Sequence, residues 1–225
     1  MRRRVGPRQY GATVQITRKR IIAAAMDVIE RGGIEAVSMD RLATHLGCGL
    51  VTLYSHIPST SALLDGVGDA LLSGIELPPA GTGGWQELTR AHAISFRAIA
   101  RAWPRCTMVV ISRRQASATT LRPVEHALGA LRDAGFAAHD AVRIVRVLVA
   151  YVIGSVLGEI EVAPGMAADD VLADRRPRLR SADFPHLTAV AADHDASTAD
   201  ADFEFGLDLL IHSVAALQPV RAVAS

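Results

Sequence analysis

Residues 38–65 read SMDRLATHLGCGLVTLYSHIPSTSALLD, and this stretch decides the fold. Ser38 is a good N-terminal cap for a short helix with one apolar face. The segment 47–49, Gly-Cys-Gly, predicts a turn, because glycine adopts the positive φ angles that other residues resist. A second short helix is expected at about residues 50–56, and Pro58 ends it. Two short helices joined by a tight turn are what a helix-turn-helix requires.

The rest of the chain is also predicted to be helical. Aromatic residues make up only 4% of the 225 residues, and small aliphatic residues dominate, which favours helices packed through aliphatic faces. Apolar residues recur at three- and four-residue spacing in several segments. We therefore predict an all-α protein. Besides residues 39–46 and 50–56, we expect helices at about residues 17–32, 59–73, 85–103, 108–114, 121–134, 140–160 and 202–217.

Breaks in this pattern mark the expected connections. Pro104 is expected to end the helix before it. Residues 164–201 are polar and poor in periodicity, so we expect a long loop with one short helical piece near residues 187–193. The apolar stretch at residues 147–157 is too short to span a bilayer and is interpreted as part of a buried helix, so no membrane segment is expected.

Charge is unevenly distributed, although the net charge is only +1. Residues 1–58 contain nine basic and four acidic residues, and the remainder is mildly acidic. A basic end suits a segment that meets a polyanion, whereas a disordered basic leader is the alternative. Residues 1–16 lack periodicity and are expected to form a flexible arm.

Several classes of protein are not indicated. Cys48 and Cys106 lie far apart without a CxxC pattern or a histidine cluster, so we expect no disulfide, metal site or cofactor, and a reducing cytoplasm fits. The N-terminus has Gly6 and Pro7 where a signal peptide would have an apolar run. We find no GxSxG, HExxH, P-loop or Rossmann fingerprint, so an enzyme is not expected.

The residues themselves resemble a known family. Three segments of the helix-turn-helix resemble the signature of the tetracycline-repressor (TetR) family of transcriptional regulators, and three later segments resemble its C-terminal domain. The segments are residues 38–47, 52–59 and 62–65, and residues 134–136, 184–187 and 202–208. The resemblance implies a ligand-responsive regulator of the repressing kind. It also implies a homodimer that places two recognition heads on a palindromic double-stranded DNA operator, with a small-molecule pocket in each helical body.

The resemblance also implies which residues meet DNA. Tyr54 and His56 match family positions that grip DNA, and both can bond phosphate oxygens. Leu50 or Val51 could contact a thymine methyl group, unless they extend the core instead. The family usually has lysine where this chain has Thr60, which weakens one phosphate contact. The DNA-binding candidates are Ser38, Arg41, Leu50, Val51, Thr52, Tyr54, Ser55, His56 and Thr60.

The effector and dimer sites are predicted from residue character. Small-molecule pockets are mostly apolar with a few polar groups, so a largely apolar effector is expected, and neither tetracycline nor magnesium is predicted. The ligand candidates are His92, Phe96, Trp103, Met108, Ile111, Tyr151 and Leu157, with ordinary core packing as the alternative. The last two long helices are expected to form a four-helix bundle with their copies, through Gly154, Gly158 and Phe205, unless these are buried within one subunit.

The expected organisation is therefore a flexible arm at residues 1–16, a DNA-binding domain at 17–75 and a ligand-binding and dimerisation domain at 76–225. The fourth helix joins the two domains and would couple the pocket to the separation of the heads. The alternative function is a helical protein-interaction adaptor that keeps the fold without reading DNA.

Overall fold

The computed structural model describes residues 15–76, 78–79, 83–113, 117–160, 185–186 and 198–217. All regular secondary structure in these residues is helical, which confirms the all-α prediction. The expected short helix at 187–193 and nearly all of the expected arm lie outside them. The helices are α1 (Arg18–Gly32), α2 (Met39–Leu46), α3 (Leu50–His56), α4 (Thr60–Leu72), α5 (Trp85–Ala102), α6 (Pro104–Ser112), α7 (Ala118–Asp133), α8 (Ala138–Glu159) and α9 (Ala199–Ala215).

The chain divides into two compact units, residues 1–64 and 65–225, and the division falls inside α4. We call the first unit the head and the second the body.

Local signals set the helices of the head. The hydroxyls of Thr17 and Ser38 cap α1 and α2 by accepting the backbone N–H three residues on, at 3.3 and 3.2 Å. Gly33 (φ 80°) follows α1, and Gly47 (φ 65°) ends α2 in the left-handed region. Gly49 has φ −76° and caps α3 in an extended conformation, so only Gly47 of the predicted turn needs a positive φ.

The head has an aliphatic core. Helix α1 packs against α2, and α2 packs against α3. Six large side chains of the head are fully buried: Ile21, Ile29, Leu42, Leu53, Ile57 and Leu63. Burying each contributes about 1.5–3 kcal/mol, which is enough to fix the relative positions of three short helices.

The body has a larger core formed by α5, α7, α8 and α9. It includes Leu131, Leu148, Phe203 and Leu207 among its buried residues. Trp85 at the start of α5 meets Phe136 edge to face, with ring centroids 5.9 Å apart. A smaller cluster of Ala100, Val156 and Ile160 packs with Phe96 and Met108.

Ion pairs join α5 to the last two helices. Arg97 is nearly buried and pairs with Glu159 at 2.8 Å and Asp200 at 2.7 Å, and its guanidinium lies 4.5 Å from the centre of the Phe203 ring. Burial lowers the pKa of Arg97, but its hydrogen bonds to the two carboxylates outweigh this and raise it overall. Hydrogen bonds from Arg97 and Arg101 hold the pKa of Asp200 below its usual value. Two turns earlier on α5, Arg90 pairs with Glu204 and Asp208 of α9.

Three helix boundaries differ from the sequence-based expectation. Pro104 not only follows α5 but also begins α6, because the first turn of a helix needs no backbone N–H from proline. Helix α7 begins three residues earlier than expected, because Ser117 caps it by accepting the backbone N–H of Thr120 at 3.2 Å. Thr198 likewise caps α9, which shortens the expected loop.

Helix α8 extends beyond the apolar stretch at residues 147–157 in both directions. By length and composition alone its 22 residues could cross a membrane, whereas residues 147–157 make up only half of the helix. The core helix of a soluble protein meets the same criterion, and α8 contributes Ala141, Ile144, Val145 and Leu148 to the core of the body. One third of its most apolar window is buried within the chain.

The cap of α2 can be tested by Ser38→Ala. Removing an N-cap hydroxyl costs about 1 kcal/mol, so hydrogen exchange of the α2 amides should accelerate by roughly fivefold. Ser55→Ala is the matched control, because the Ser55 hydroxyl only donates to the carbonyl of Thr52 within α3. Equal exchange in both variants would show that Ser38 does not stabilise α2.

Candidate functional site

Helix α3 presents an exposed surface around one buried anchor. Leu53 is fully buried, whereas its neighbours Leu50, Val51 and Tyr54 are 37%, 85% and 47% exposed. The alternative in which Leu50 and Val51 extend the core therefore does not describe this structure. An apolar side chain that is 85% exposed gains little from folding, so Val51 is free to contact something outside the chain.

The other predicted DNA-binding residues surround this surface. Thr52, Ser55 and His56 are exposed on α3. Thr60 is exposed at the first residue of α4, just after Ser59, whose hydroxyl caps that helix by accepting the backbone N–H of Ala62 at 3.1 Å.

Two candidates on α2 already have structural contacts. The Ser38 hydroxyl is used as the cap of the helix, and the Arg41 guanidinium donates to the carbonyl of Ala36 at 3.2 Å. Arg41 is nevertheless exposed, and Ser38 is half-buried.

The body contains a cavity of about 260 Å³. Three predicted ligand residues, His92, Phe96 and Ile111, line it. Sequence reasoning missed the rest of its wall, which comes from all four helices α5 to α8 and from Ile75. The remaining lining residues are Ile75, Thr89, Ala93, Val110, Pro123, Val124, Ala127, Val145, Leu148, Val149, Val152 and Ile153.

The other four ligand candidates lie outside this lining. Met108 packs against the small apolar cluster of the body, and Trp103 caps the C-terminus of α5. The Tyr151 ring stacks on Phe203, and its hydroxyl donates to the carbonyl of Phe203 at 2.7 Å. Leu157 is half-buried on α8. The helical period of α8 places residues 145, 148, 149 and 152 on one face. This was the only sequence signal that could have predicted the cavity lining on α8.

Two histidines meet at the cavity. The rings of His92 on α5 and His126 on α7 have centroids 5.6 Å apart. The buried atoms His92 Nε2 and His126 Nδ1 have no hydrogen-bond partner among the described residues. Burial, with a smaller contribution from His126, lowers the pKa of His92 from 6.5 to about 4, so His92 is uncharged at neutral pH.

The predicted dimer residues lie on the outside of the body. Phe205 on α9 is 72% exposed, and Gly154 on α8 is also exposed. Apart from its chain neighbours and the local helix backbone, a Cβ atom added at Gly154 or Gly158 would meet no atom of the described residues within 4 Å. Leu209, one turn after Phe205, is exposed as well.

Family comparisons agree with this architecture. The family model described as "Bacterial regulatory proteins, tetR family" matches residues 21–67, and "Tetracyclin repressor-like, C-terminal domain" matches residues 77–217. The chain belongs to the TetR family of transcriptional regulators.

Individual relatives cover nearly the whole chain. An HTH-type transcriptional regulator of Saccharopolyspora erythraea is 28% identical over 89% of this chain and 85% of its own length. The class A tetracycline repressor of transposon 1721 from Escherichia coli is 28% identical over 87% of this chain and 88% of its own. The structure of ActR from Streptomyces coelicolor in complex with actinorhodin is 28% identical, with a TM-score of 0.75, and covers 90% of this chain and 98% of that one.

Family membership confirms the predicted function, a ligand-responsive DNA-binding transcriptional regulator. The family consists of regulators and not of enzymes, which confirms that prediction too.

The uncharged state of His92 predicts a pH dependence of stability. An unfolded chain protonates His92 near pH 6.5, but the folded chain does so only near pH 4, so the unfolded state binds the proton first as the pH falls. This residue therefore leaves stability unchanged above pH 6.5, lowers it progressively between pH 6.5 and 4, and lowers it no further below pH 4. The melting temperature of His92→Gln, followed by circular dichroism, should fall less than that of the wild type across this window.

The control for this measurement is His139→Gln, which removes an exposed imidazole from the start of α8 in the same body. It should keep the wild-type dependence. A wild-type slope in His92→Gln would show that His92 is not held neutral in the folded chain.

Proposed function

We propose that this TetR-family regulator is a repressor that binds a palindromic operator as a homodimer and is released by a small, largely apolar molecule in the body cavity. The observation that carries the DNA-binding part is the exposure of Leu50, Val51 and Tyr54 around buried Leu53. These exposed side chains contribute little to the stability of the head. A helix placed in a major groove can bring such side chains against base edges and thymine methyl groups.

Within this surface we assign two kinds of contact. Tyr54 and His56 would bond phosphate oxygens and fix the position of the helix on DNA. Val51, with Leu50 and Ser55 beside it, would contact base edges and give sequence preference. Thr52 is exposed on the same helix, and its hydroxyl would bond either a phosphate oxygen or a base edge.

Residues next to α3 would add phosphate contacts. Thr60 offers a hydroxyl at the N-terminus of α4, where exposed backbone N–H groups attract phosphate. It supplies no charge, so it is a weaker contact than the lysine usual in the family. Arg41 is exposed and positively charged, and Ser38 positions its helix through the cap.

We assign residues 17–75 to DNA binding and 76–225 to ligand binding and dimerisation, with the basic arm at 1–16 preceding them. The family models support this division, because one ends at residue 67 and the other begins at 77. A DNA-binding regulator must have access to chromosomal DNA, so we place this protein in the cytoplasm.

Dimerisation is supported by uncovered apolar surface on α8 and α9. Val147, Gly154 and Gly158 follow helical spacing on α8, and Phe205 and Leu209 do so on α9. Val147, Phe205 and Leu209 are 52%, 72% and 57% exposed. Since the two helices also contact each other, their exposed residues can form one surface that a second copy covers. The glycines would let the partner helix approach closely.

Effector binding is supported by the cavity and by its three predicted lining residues, His92, Phe96 and Ile111. A relative with the same fold, ActR, holds actinorhodin in its crystal structure. Ligand-bound bodies would favour a spacing of the heads that does not match successive major grooves, which are about 34 Å apart.

Substitution of Tyr54 tests the DNA contact. Tyr54→Ala should weaken operator binding at least tenfold in electrophoretic shifts with DNA flanking the gene, because it removes an exposed phosphate contact without opening the core. Melting temperature and oligomeric state should stay unchanged. Leu53→Ala is the contrasting variant, since it leaves a core cavity and should destabilise the head by about 2–5 kcal/mol. Wild-type operator affinity in Tyr54→Ala would refute the assignment, and no shift with wild-type protein at low salt would refute the proposed function.

The dimer surface is tested by Leu209→Glu. A carboxylate in an apolar interface is costly to bury, so this variant should sediment as a monomer in analytical ultracentrifugation while keeping its helix content. Leu121→Glu is the matched control on α7, because Leu121 is similarly exposed, at 50%, but lies outside the proposed interface. An unchanged dimer in Leu209→Glu, or a monomer in Leu121→Glu, would place the interface elsewhere.

A further inference from the structure

We propose that the body cavity selects a small, electrically neutral aromatic ligand with a hydroxyl or carbonyl group, and that His92 Nε2 is the hydrogen-bonding partner of that group. The inference rests on the proposed function, because it names the ligand class of the effector cavity.

The first support is the pair of buried imidazole nitrogens, His92 Nε2 and His126 Nδ1, that lack hydrogen-bond partners among the described residues. Buried polar atoms in folded proteins are nearly always hydrogen-bonded, and leaving one without a partner costs about 1–3 kcal/mol. His92 lines the cavity. His126 on α7 contacts the His92 ring and directly precedes the lining residue Ala127. A ligand in the cavity can supply the missing bond to His92 Nε2.

The second support is the absence of charge among the described residues that line the cavity. Thr89 and His92 are the polar side chains of that lining, and the others are apolar. The nearby arginines of α5 are engaged elsewhere, since Arg90 and Arg97 pair with carboxylates of α8 and α9. An anionic ligand would lose its hydration and find no compensating cation among the described residues of the lining, so this lining disfavours it.

The state of His92 agrees with a neutral ligand. The ring carries no charge at neutral pH, because burial and the neighbouring His126 both disfavour its protonated form. A neutral imidazole has one donor and one acceptor nitrogen, and the tautomer decides which is which. Nε2 can therefore accept from a ligand hydroxyl or donate to a ligand carbonyl.

Shape and size narrow the ligand further. The volume of about 260 Å³ lies just below the range of roughly 300–1,000 Å³ that is usual for small-molecule sites, so the ligand is small. Phe96 on α5 lines the cavity, and an aromatic side chain packs favourably against another aromatic ring.

Three naphthalene derivatives test the proposal. They share one ring system: 2-naphthol carries a hydroxyl, 2-methylnaphthalene replaces it with a methyl group of similar size, and 2-naphthoate carries an anionic carboxylate. Isothermal titration of the full chain at pH 7.5 gives the affinity for each. We expect 2-naphthol to bind about three- to tenfold more tightly than 2-methylnaphthalene, which is the usual net effect of one hydrogen bond, and 2-naphthoate to bind most weakly.

Substitutions of His92 assign the effect to this residue. His92→Leu should bind 2-naphthol and 2-methylnaphthalene equally, without loss of affinity for the latter. His92→Asn keeps a polar group at the same place and should retain part of the preference for 2-naphthol. It also serves as the second variant if His92→Leu does not fold, which circular dichroism will show.

Four results would overturn the inference: equal affinity of the wild type for the hydroxyl and methyl compounds, tightest binding of 2-naphthoate, an undiminished hydroxyl preference in His92→Leu, or no binding of any of the three compounds. Operator binding is measured separately by electrophoretic shift. A chain that shifts its operator but shows one of these results is still a DNA-binding regulator, and only the ligand class proposed here is then wrong.

Discussion

The body of this regulator depends on how the apolar surface of α8 is covered. Apolar side chains occur on most sides of this helix, and each side must meet other apolar groups or remain in water. Ile144 and Leu148 pack in the core, Val152 and Ile153 line the cavity, and Gly154 lies on the exposed side. Only a third of its most apolar window is buried within the chain. One helix thus contributes to the core, to the cavity and to the surface proposed for dimerisation.

Helix α5 is held in place beside α8 by charge. Arg97 is nearly buried, and its removal from water is offset only if its carboxylate partners and the Phe203 ring are correctly placed. Glu159 is also almost buried, so a displaced α5 would leave two charges without partners. Because His92 and Phe96 lie on the same helix as Arg97, this ion-pair network also fixes the position of the part of the cavity wall that α5 contributes.

Sequence reasoning predicted the head better than the body, because the head is set by local signals. Ser38 and Gly47 act on neighbouring residues, so the bounds of α2 and α3 could be predicted correctly before any tertiary contact was known. The cavity wall instead depends on which helices meet. Pro123 and Val152 lie far apart in sequence, and Arg97 pairs with Glu159 across 62 positions. The exposure of Val51 could not be predicted either, since an apolar residue on a short helix has no local signal that distinguishes core from surface.

Sharing α8 between the cavity and the proposed interface has a thermodynamic consequence. A ligand can shift a conformational equilibrium only by its differential affinity for the two states. A ligand against Val149 and Val152 would contact the same helix whose Gly154 side is proposed to face the partner subunit, so the proposed interface and the cavity would be linked. Such linkage is reciprocal. If the effector weakens DNA binding by a given factor, then bound DNA weakens effector binding by the same factor. Release from the operator would then be transmitted by the helices of the body together with α4, which belongs to both units.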